Sequence, residues 1–455
     1  MISRQAIPSL STRTNTMNLL IRQKTEIIHR SLNNKLFLYN EISQDMFCLD
    51  ERANAIWQLI DKNINYNTLL NKIERLNINV SEKEARSLII FLIENNLIEG
   101  QGLTEHTPTN NNAEPMELWR FVNKHTGHYY PTTATWEITY KCNQTCIHCY
   151  ENCEYTKSMQ DLDIDSIRRI LIELKENGCF ILNITGGEPF ARKDIFHILK
   201  NARDLNFSIV LYSNGSMMKD SDITKLKEIG ISKICITLFS LDPQKHDKIA
   251  NGAGLQIKTL DKILKLRETG IPVRINAPLT KYNFDGYKNL VSFSREKGCE
   301  LVITPTMTPK DDGDMSPLEL CLSDNQFEAI LLDKDVNIEM EDDRISLDNK
   351  LESVACNVVF SSIAISADGK VYPCNTFKLE CGNLKEDSLS NIWNNSEVLN
   401  KLRTVKIKQV TDCNNCPNLD YCLPCPAYSW LENKKIVGRS CISCRTASIR
   451  KKLEL

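Results

Sequence analysis

Apolar and polar positions along the chain change period from one stretch to the next. Between residues 131 and 309, short apolar runs alternate with helical stripes. The runs Thr135–Tyr140, Phe180–Thr185, Ser208–Ser213, Lys233–Phe239, Pro272–Leu279 and Glu300–Pro305 predict strands. Helices lie between them. Ile164, Ile167, Ile170, Leu171 and Leu174 mark one face of Ile164–Leu174. Ile223, Leu226 and Ile229 mark Ile223–Ile229, stopped by Gly230, and Ile257–Leu266 is closed by Gly270 before Pro272. This alternation predicts an α/β fold with a parallel sheet and helices outside it. Six such units suggest a partial (β/α)6 barrel of TIM type, whose sites sit at the C-terminal ends of strands.

Residues 26–100 follow another pattern. Leu36–Tyr39 and Asp45–Leu49 read as two short strands around a turn. Glu51–Asp61 follows, with Ala53, Ile56, Trp57 and Ile60 on one helical face. Asn67–Leu76 reads as a second helix. Ser81 and Glu84 form a capping-box pattern before Ala85, Leu88, Ile89, Leu92 and Ile93. A strand pair with three helices suggests a winged helix-turn-helix module. Residues 1–25 hold no acid and are rich in Ser, Thr and Arg, which predicts a disordered basic arm. Residues 101–130 lack periodicity and read as a linker, with Trp119 and Phe121 able to dock on the next domain. Residues 310–350 are acidic and irregular, with Asp311, Asp312, Asp314, Glu341, Asp342 and Asp343, and read as a solvated connector. Residues 351–455 are dense in cysteine.

At 455 residues, roughly two to four modules are expected. A net charge of −2 gives no global case for nucleic acid or an anionic membrane. No apolar run approaches a transmembrane helix, and no signal-peptide core is present, which places the protein in the cytoplasm. The 18 cysteines cluster in C-x2-C units, which points to metal in a reducing compartment rather than to disulfides.

The chemistry centres on Tyr140–Tyr150, Y-K-C-N-Q-T-C-I-H-C-Y, where Cys142, Cys146 and Cys149 are spaced C-x3-C-x2-C. Three thiolates on one short loop can hold three irons of a cubane and leave the fourth open to a small molecule. Zinc is the alternative. It wants four soft ligands in a closed site, and His148 supplies the fourth only if the loop folds sharply back. Softness and spacing favour a cluster.

This spacing, with Tyr150 after the last Cys and Thr185-Gly186-Gly187-Glu188-Pro189 after the second strand, closely resembles the radical S-adenosylmethionine (SAM) superfamily. The resemblance implies a [4Fe–4S] cluster on Cys142, Cys146 and Cys149 that chelates SAM. Its reductive cleavage gives a 5′-deoxyadenosyl radical, which abstracts hydrogen from an unactivated carbon. By the same resemblance Gly186, Gly187 and Glu188 bind the SAM amine, and Ser213 and Asn214 contact its ribose or carboxylate. Ser240, Arg274 and Asn276 could also face it. Glycine lets backbone approach a ligand closely. The residues themselves equally allow a strand-end turn at the glycines, a turn at S-N-G and a surface ion pair for Arg274. A clear G-x-I-x-G adenine motif is absent. Cys48, Cys153, Cys179, Cys235, Cys299 and Cys321 fall outside ligand-like clusters and read as small buried apolar residues.

The tail resembles the SPASM extension, which carries two auxiliary [4Fe–4S] clusters. Cys356 is followed by Gly369 and Cys374, then by Cys413, Cys416, Cys422 and Cys425 as C-x2-C-x5-C-x2-C, then by Cys441 and Cys444. The family's usual pattern has three residues before the last Cys of that run; here there are two. Asp368-Gly369 marks the turn of a hairpin over Ser362–Cys374. The resemblance implies one cluster on Cys356, Cys374 and Cys425, its fourth position taken by Cys381 or open to a substrate thiolate. It implies a second on Cys413, Cys416, Cys422 and either Cys444 or Cys441, Cys444 being favoured by its C-x-x-A context. Two zinc ribbons are the alternative.

The first module resembles the PQQ-chaperone-like (PqqD-like) recognition element of peptide-modifying enzymes, on F-L-Y-N, A-x2-I-W and F-L-x3-N-L-I in that order. There a precursor's leader peptide adds a strand to the sheet edge. Glu82, Glu84, Glu94 and Glu99 in or beside the third helix leave it no basic face, so no nucleic acid is expected. Together the three parts resemble maturases of ribosomally made peptides, of the sactipeptide type that joins a Cys thiolate to a carbon. A flavodoxin- or ferredoxin-type donor would supply electrons. The rival expectations are carbon–carbon crosslinking, epimerisation, sulfatase-type maturation, or a non-enzymatic iron–sulfur or zinc regulator that binds DNA.

Overall fold

The structure, a computed structural model, describes residues 20–60, 63–100, 116–151, 160–336 and 347–455. The chain divides into two compact units, one up to Glu117 and one from Leu118 to Leu455.

In the first unit, six strands form two three-stranded sheets. They are β1 (Leu20–Gln23), β2 (Ile27–Leu32), β3 (Lys35–Asn40), β4 (Met46–Leu49), β5 (Ile64–Asn65) and β6 (Ile98–Gly100). The sheets are ordered β2-β3-β4 and β5-β1-β6. Asn33 and Asn34, both at positive φ, make the tight turn between β2 and β3. Three helices follow, Glu51–Leu59, Tyr66–Arg75 and Glu82–Glu94. Each starts on a side-chain cap: Asp50, Asn65, and the reciprocal Ser81–Glu84 box. Their apolar faces close on Trp57, Ile56, Leu69, Ile89 and Leu92.

Three expectations need correction. Residues 20–25 are not a disordered arm: β1 pairs with both β5 and β6, and Ile21 is fully buried between them. The rest of that segment, 1–19, lies outside the described residues, as does 101–115 of the expected linker. The linker's end is a helix, Leu118–Thr126, with Val122 buried, and it belongs to the second unit. The expected connector holds a capped helix, Asp324–Leu331, that buries Phe327 and Ile330. Residues 337–346, with Glu341, Asp342 and Asp343, are outside the described set, as is Cys153.

The second unit is built on six parallel strands: β7 (Thr133–Glu137), β8 (Ile181–Thr185), β9 (Ser208–Ser213), β10 (Lys233–Thr237), β11 (Val273–Pro278) and β12 (Glu300–Thr304). They lie side by side in chain order, as a partial (β/α)6 barrel requires. Alternate residues face the helices: Ala134 and Trp136, Leu182 and Ile184, Ile209 and Leu211, Ile234 and Ile236, Val273 and Ile275 all enter one apolar core. The other set lines the inner face and is polar, with Thr135, Glu137, Asn183, Tyr212, Cys235, Arg274 and Asn276. Beyond β7 the sheet continues through β13 (Ser362–Ile365), β14 (Lys370–Tyr372) and β15 (Gly382–Asn383). β13 is parallel to β7, and Gly369 at φ 95° turns the hairpin into β14.

Ile21→Ala should destabilise the first unit by roughly 2–5 kcal/mol. Hydrogen exchange on the full chain should then speed up at the β5 and β6 amides. Unchanged exchange would place β1 outside the cooperative core.

Candidate active site and metal centres

The loop after β7 is fixed from three sides. Gly187 N–H donates to the Thr139 carbonyl at 2.8 Å, and Glu188 N–H donates to the Lys141 carbonyl at 2.8 Å. A Cβ on Gly186 would overlap the Thr139 carbonyl oxygen, and one on Gly187 would lie 2.6 Å from that of Lys141. The glycines therefore permit a close approach by the segment leading into the cysteine loop; the expected approach was to a ligand. On the second side, Asn143 Nδ2 donates to Ser216 Oγ at 2.9 Å, and Asn214 Nδ2 donates to Asn143 Oδ1 at 3.0 Å and lies 3.9 Å from Cys142 Sγ. On the third, Ile147 N–H donates to the Ile249 carbonyl at 3.0 Å, and Asn251 Nδ2 donates to Thr145 Oγ1 at 2.9 Å.

Glu188 is the key of this arrangement. Its side chain is fully buried and accepts from Ser213 Oγ at 2.8 Å, Asn214 N–H at 2.7 Å and Phe190 N–H at 3.1 Å. Burial pushes its carboxyl up to about 7, while those three donors favour the charged form. The structure thus brings Gly186, Gly187, Glu188, Ser213 and Asn214 together against Cys142.

Other expected contacts sit elsewhere. Arg274 lies near the start of β11 and pairs with Glu300 at 2.5 Å, the ion pair that the residues alone allowed rather than a SAM carboxylate contact. Asn276, two residues nearer the C-terminal end on the same face, stays within the barrel mouth. Ser240 is buried, accepts the Asp242 N–H at 3.1 Å and lies against Gly286. His148 does not swing back toward the thiols. Its ring packs edge-on against Phe239 at 4.9 Å, and burial lowers it to about 4, so it is neutral.

The tail thiols form two groups. Burial, and then the charges of Cys356 and Cys425, raise Cys374 to about 12. Cys356 is raised by burial to about 11, with Cys425 adding to it. Each of the three also receives backbone N–H donors, from Thr376 and Phe377, from Val359 and Val358, and from Tyr428 and Ala427 respectively. The second group is Cys413, Cys416, Cys422 and Cys444. Cys422 is raised by burial to about 12, then by Cys413, Cys444 and Cys416, and Arg439 Nε donates to Cys444 Sγ at 3.3 Å. Cys441 is exposed, with its N–H on Glu432 at 2.6 Å. Cys381 faces the Leu379 carbonyl at 3.6 Å and the Ser396 hydroxyl, though it senses Cys374.

Among the described residues, no three His, Cys, Asp or Glu side chains converge on one ion's position. Buried thiols that raise one another's pKa and already accept N–H donors suit a spread, multinuclear cluster, because its irons stabilise thiolates that burial opposes.

A charged cluster at the barrel mouth had no motif to announce it. Glu137 is 1% exposed, and both its oxygens accept from Lys378 Nζ, at 2.8 and 2.6 Å. Tyr140 Oη donates to Glu137 Oε2 at 3.1 Å, and Glu151 Oε1 lies 3.9 Å from Lys378 Nζ. Burial and then the Glu137 charge raise the Glu151 carboxyl. Burial alone would lower Lys378, but the two carboxyls raise it. The available signal was a carboxylate at the inward position ending an otherwise uncharged strand.

Two substitutions test these assignments. Gly187→Ala should force the cysteine loop apart at a cost of about 1–3 kcal/mol, seen as a lower iron content after reconstitution. Cys444→Ala should lose about four irons, whereas Cys441→Ala should keep them; equal loss from both would refute the grouping.

Residues 136–294 match the Radical SAM superfamily, and residues 356–417 match the SPASM iron–sulfur cluster-binding domain. The AdoMet-dependent heme synthase of Methanosarcina barkeri is 26% identical over 66% of this chain and 92% of its own length. The PqqA peptide cyclase of Xanthomonas oryzae pv. oryzae is 24% identical over 63% of this chain and 80% of its own. Among solved structures, Streptococcus suis SuiB bound to precursor peptide SuiA superposes with a TM-score of 0.61 at 16% identity, over 93% of this chain and 99% of that one. No helix among the described residues is long and apolar enough to cross a membrane. With its barrel, its three-cysteine loop and its grouped tail thiols, the chain carries a Radical SAM domain followed by a SPASM domain, and with them [4Fe–4S] clusters and SAM.

Proposed function

We propose that the chain modifies a ribosomally made precursor peptide, forming a thioether between a Cys thiolate and a carbon of another residue. The observation that carries this reading is the continuous sheet. It joins β7, which runs into the three-cysteine loop, to β13, which Cys356 precedes, and to β14, which Cys374 follows. Likeness to SuiB, which extends over 93% of this chain, and to the PqqA peptide cyclase supports a peptide substrate.

When bound, the cluster on Cys142, Cys146 and Cys149 supplies a 5′-deoxyadenosyl radical from SAM. The chain's own residues position and shield it. Glu188 locks Ser213 and Asn214; Asn214 holds Asn143 and, through Ser216, Gln144 beside Cys142. Asn276, Gly186 and Gly187 remain the SAM contacts of choice; Cys356, Cys374 and Cys425 would hold one auxiliary cluster and Cys413, Cys416, Cys422 and Cys444 the other. In the first unit a leader peptide would add a strand to a sheet edge in the manner of a PqqD-like winged helix. A flavodoxin- or ferredoxin-type donor in the cytoplasm would deliver the electron.

Heme-precursor chemistry is the second reading, favoured by the 26% identical relative, whose match takes in 66% of this chain. Anaerobic protein with SAM, dithionite and synthetic copies of whatever short Cys-bearing reading frames adjoin its gene should yield 5′-deoxyadenosine and a peptide lighter by two hydrogens per crosslink. Cys142→Ala should abolish both. An unchanged mass with deuterium uptake would make the reaction an epimerisation, and turnover of a heme precursor alone would favour the second reading.

A further inference from the structure

The buried Glu137–Lys378 pair is idle in everything described so far. Taking a carboxylate and an ammonium out of water costs several kcal/mol per ion, and an apolar pair would hold two segments together at least as well. The register between β7 and β13 is already fixed by a parallel ladder from Thr133–Ser362 to Trp136–Ile365. Buried charge at a site's mouth is more often functional than structural.

Its position suggests the function. Glu137 ends β7 on the inner face, three residues before Tyr140 opens the cysteine loop, so it lies where barrels place reacting groups. Lys378 stands four residues beyond Cys374, on the side of the auxiliary thiols. Facing the pair are Tyr140, Tyr150 and Glu151 from the cysteine loop, Tyr372 from β14 and Asp311 from the segment after β12. The pair therefore ties the end of the strand that runs into the three-cysteine loop to the segment that follows Cys374.

Thioether formation from a C–H and an S–H removes two hydrogens. One leaves as an atom to the 5′-deoxyadenosyl radical, giving 5′-deoxyadenosine. The other leaves as a proton from the thiol and an electron, which reduces an auxiliary [4Fe–4S] cluster by one unit while the C–S bond forms. In a buried chamber, losing the electron without the proton would strand a charge in low dielectric. We propose that Glu137 is the catalytic residue that accepts the thiol proton, with Lys378 and Tyr140 as positioning residues that fix its carboxylate. Lys378 bonding both oxygens leaves the carboxylate one orientation, and Tyr140 ties it to the cysteine loop. This inference rests on the peptide-modifying reading above.

The test uses the full chain, reconstituted anaerobically and given SAM, dithionite and the Cys-bearing peptide that the wild-type chain crosslinks in the assay above. Crosslinks and 5′-deoxyadenosine are counted separately. In Glu137→Gln, which keeps the side chain's shape and a hydrogen bond to Lys378, crosslinks per 5′-deoxyadenosine should fall on the order of 100-fold. Iron content, melting temperature and the EPR spectra of the reduced clusters should match the wild type. Lys378→Arg, still able to bond both oxygens, should retain most of the coupling. An unchanged ratio in Glu137→Gln overturns the inference and leaves the peptide reading standing. Lost iron, a lowered melting temperature or altered EPR in that variant makes the pair a latch and also overturns it. Wild-type protein that cleaves SAM but never alters the peptide's mass overturns the reading on which the inference rests.

Discussion

The parallel pairing of β13 with β7 is the constraint on which the second unit depends. β7 has β8 on one side and β13 on the other, and it runs directly into the three-cysteine loop. β13 turns at Asp368-Gly369 into β14, which ends two residues before Cys374. Two metal-binding regions separated by more than 200 residues of chain are thus tied to one strand's register. Side chains alternate along a strand, so slipping that register by one residue would turn Ile363 and Ile365 out of the core and move Cys374 as well. The pairing also covers the edge that an open barrel would otherwise leave exposed at its first strand.

Burial sets the character of the cysteine sites more than sequence spacing does. A thiol deep in apolar surroundings resists ionisation, and neighbouring thiols resist it further. Cys356 and Cys374 meet both conditions and Cys425 the first, and all three are compensated by backbone N–H groups. Loading metal must displace protons from these thiols, so the folding of the tail and the filling of its sites are linked processes.

The barrel was legible because strands covered on both faces appear as short apolar runs, and β9 spans the residues its pattern predicts. The cysteines were legible because few side chains can ligate iron. What stayed hidden shares one physical cause: burial supplied by distant partners. Ile21 is in the core only because residues 64 and 100 come to lie beside it. Glu137 and Lys378 are 241 residues apart, and neither belongs to a local pattern. Arg274 was a plausible anion ligand by type, yet its place low on β11, opposite Glu300, decides otherwise. At Gly186 and Gly187 the sequence could not say that the Thr139 and Lys141 backbone would press against them.

The two auxiliary thiol groups differ in a way that bears on electron flow. The first has no cation among the neighbours that shift its three thiols, and its stabilising contacts are backbone dipoles. The second has Arg439 on Cys444, and buried Lys350 lowers Cys422. Adding an electron to a cluster adds negative charge, which nearby cations favour and an apolar shell opposes. Each group would then hold its electron for a different reason, the first through fixed dipoles and the second through the charges of buried Lys350 and surface Arg439. Because Arg439 is a surface side chain, the second group's contribution is screened by salt, while the buried dipoles around the first are not. Ionic strength should therefore act unequally on the two sites, with its larger influence on the one nearer solvent.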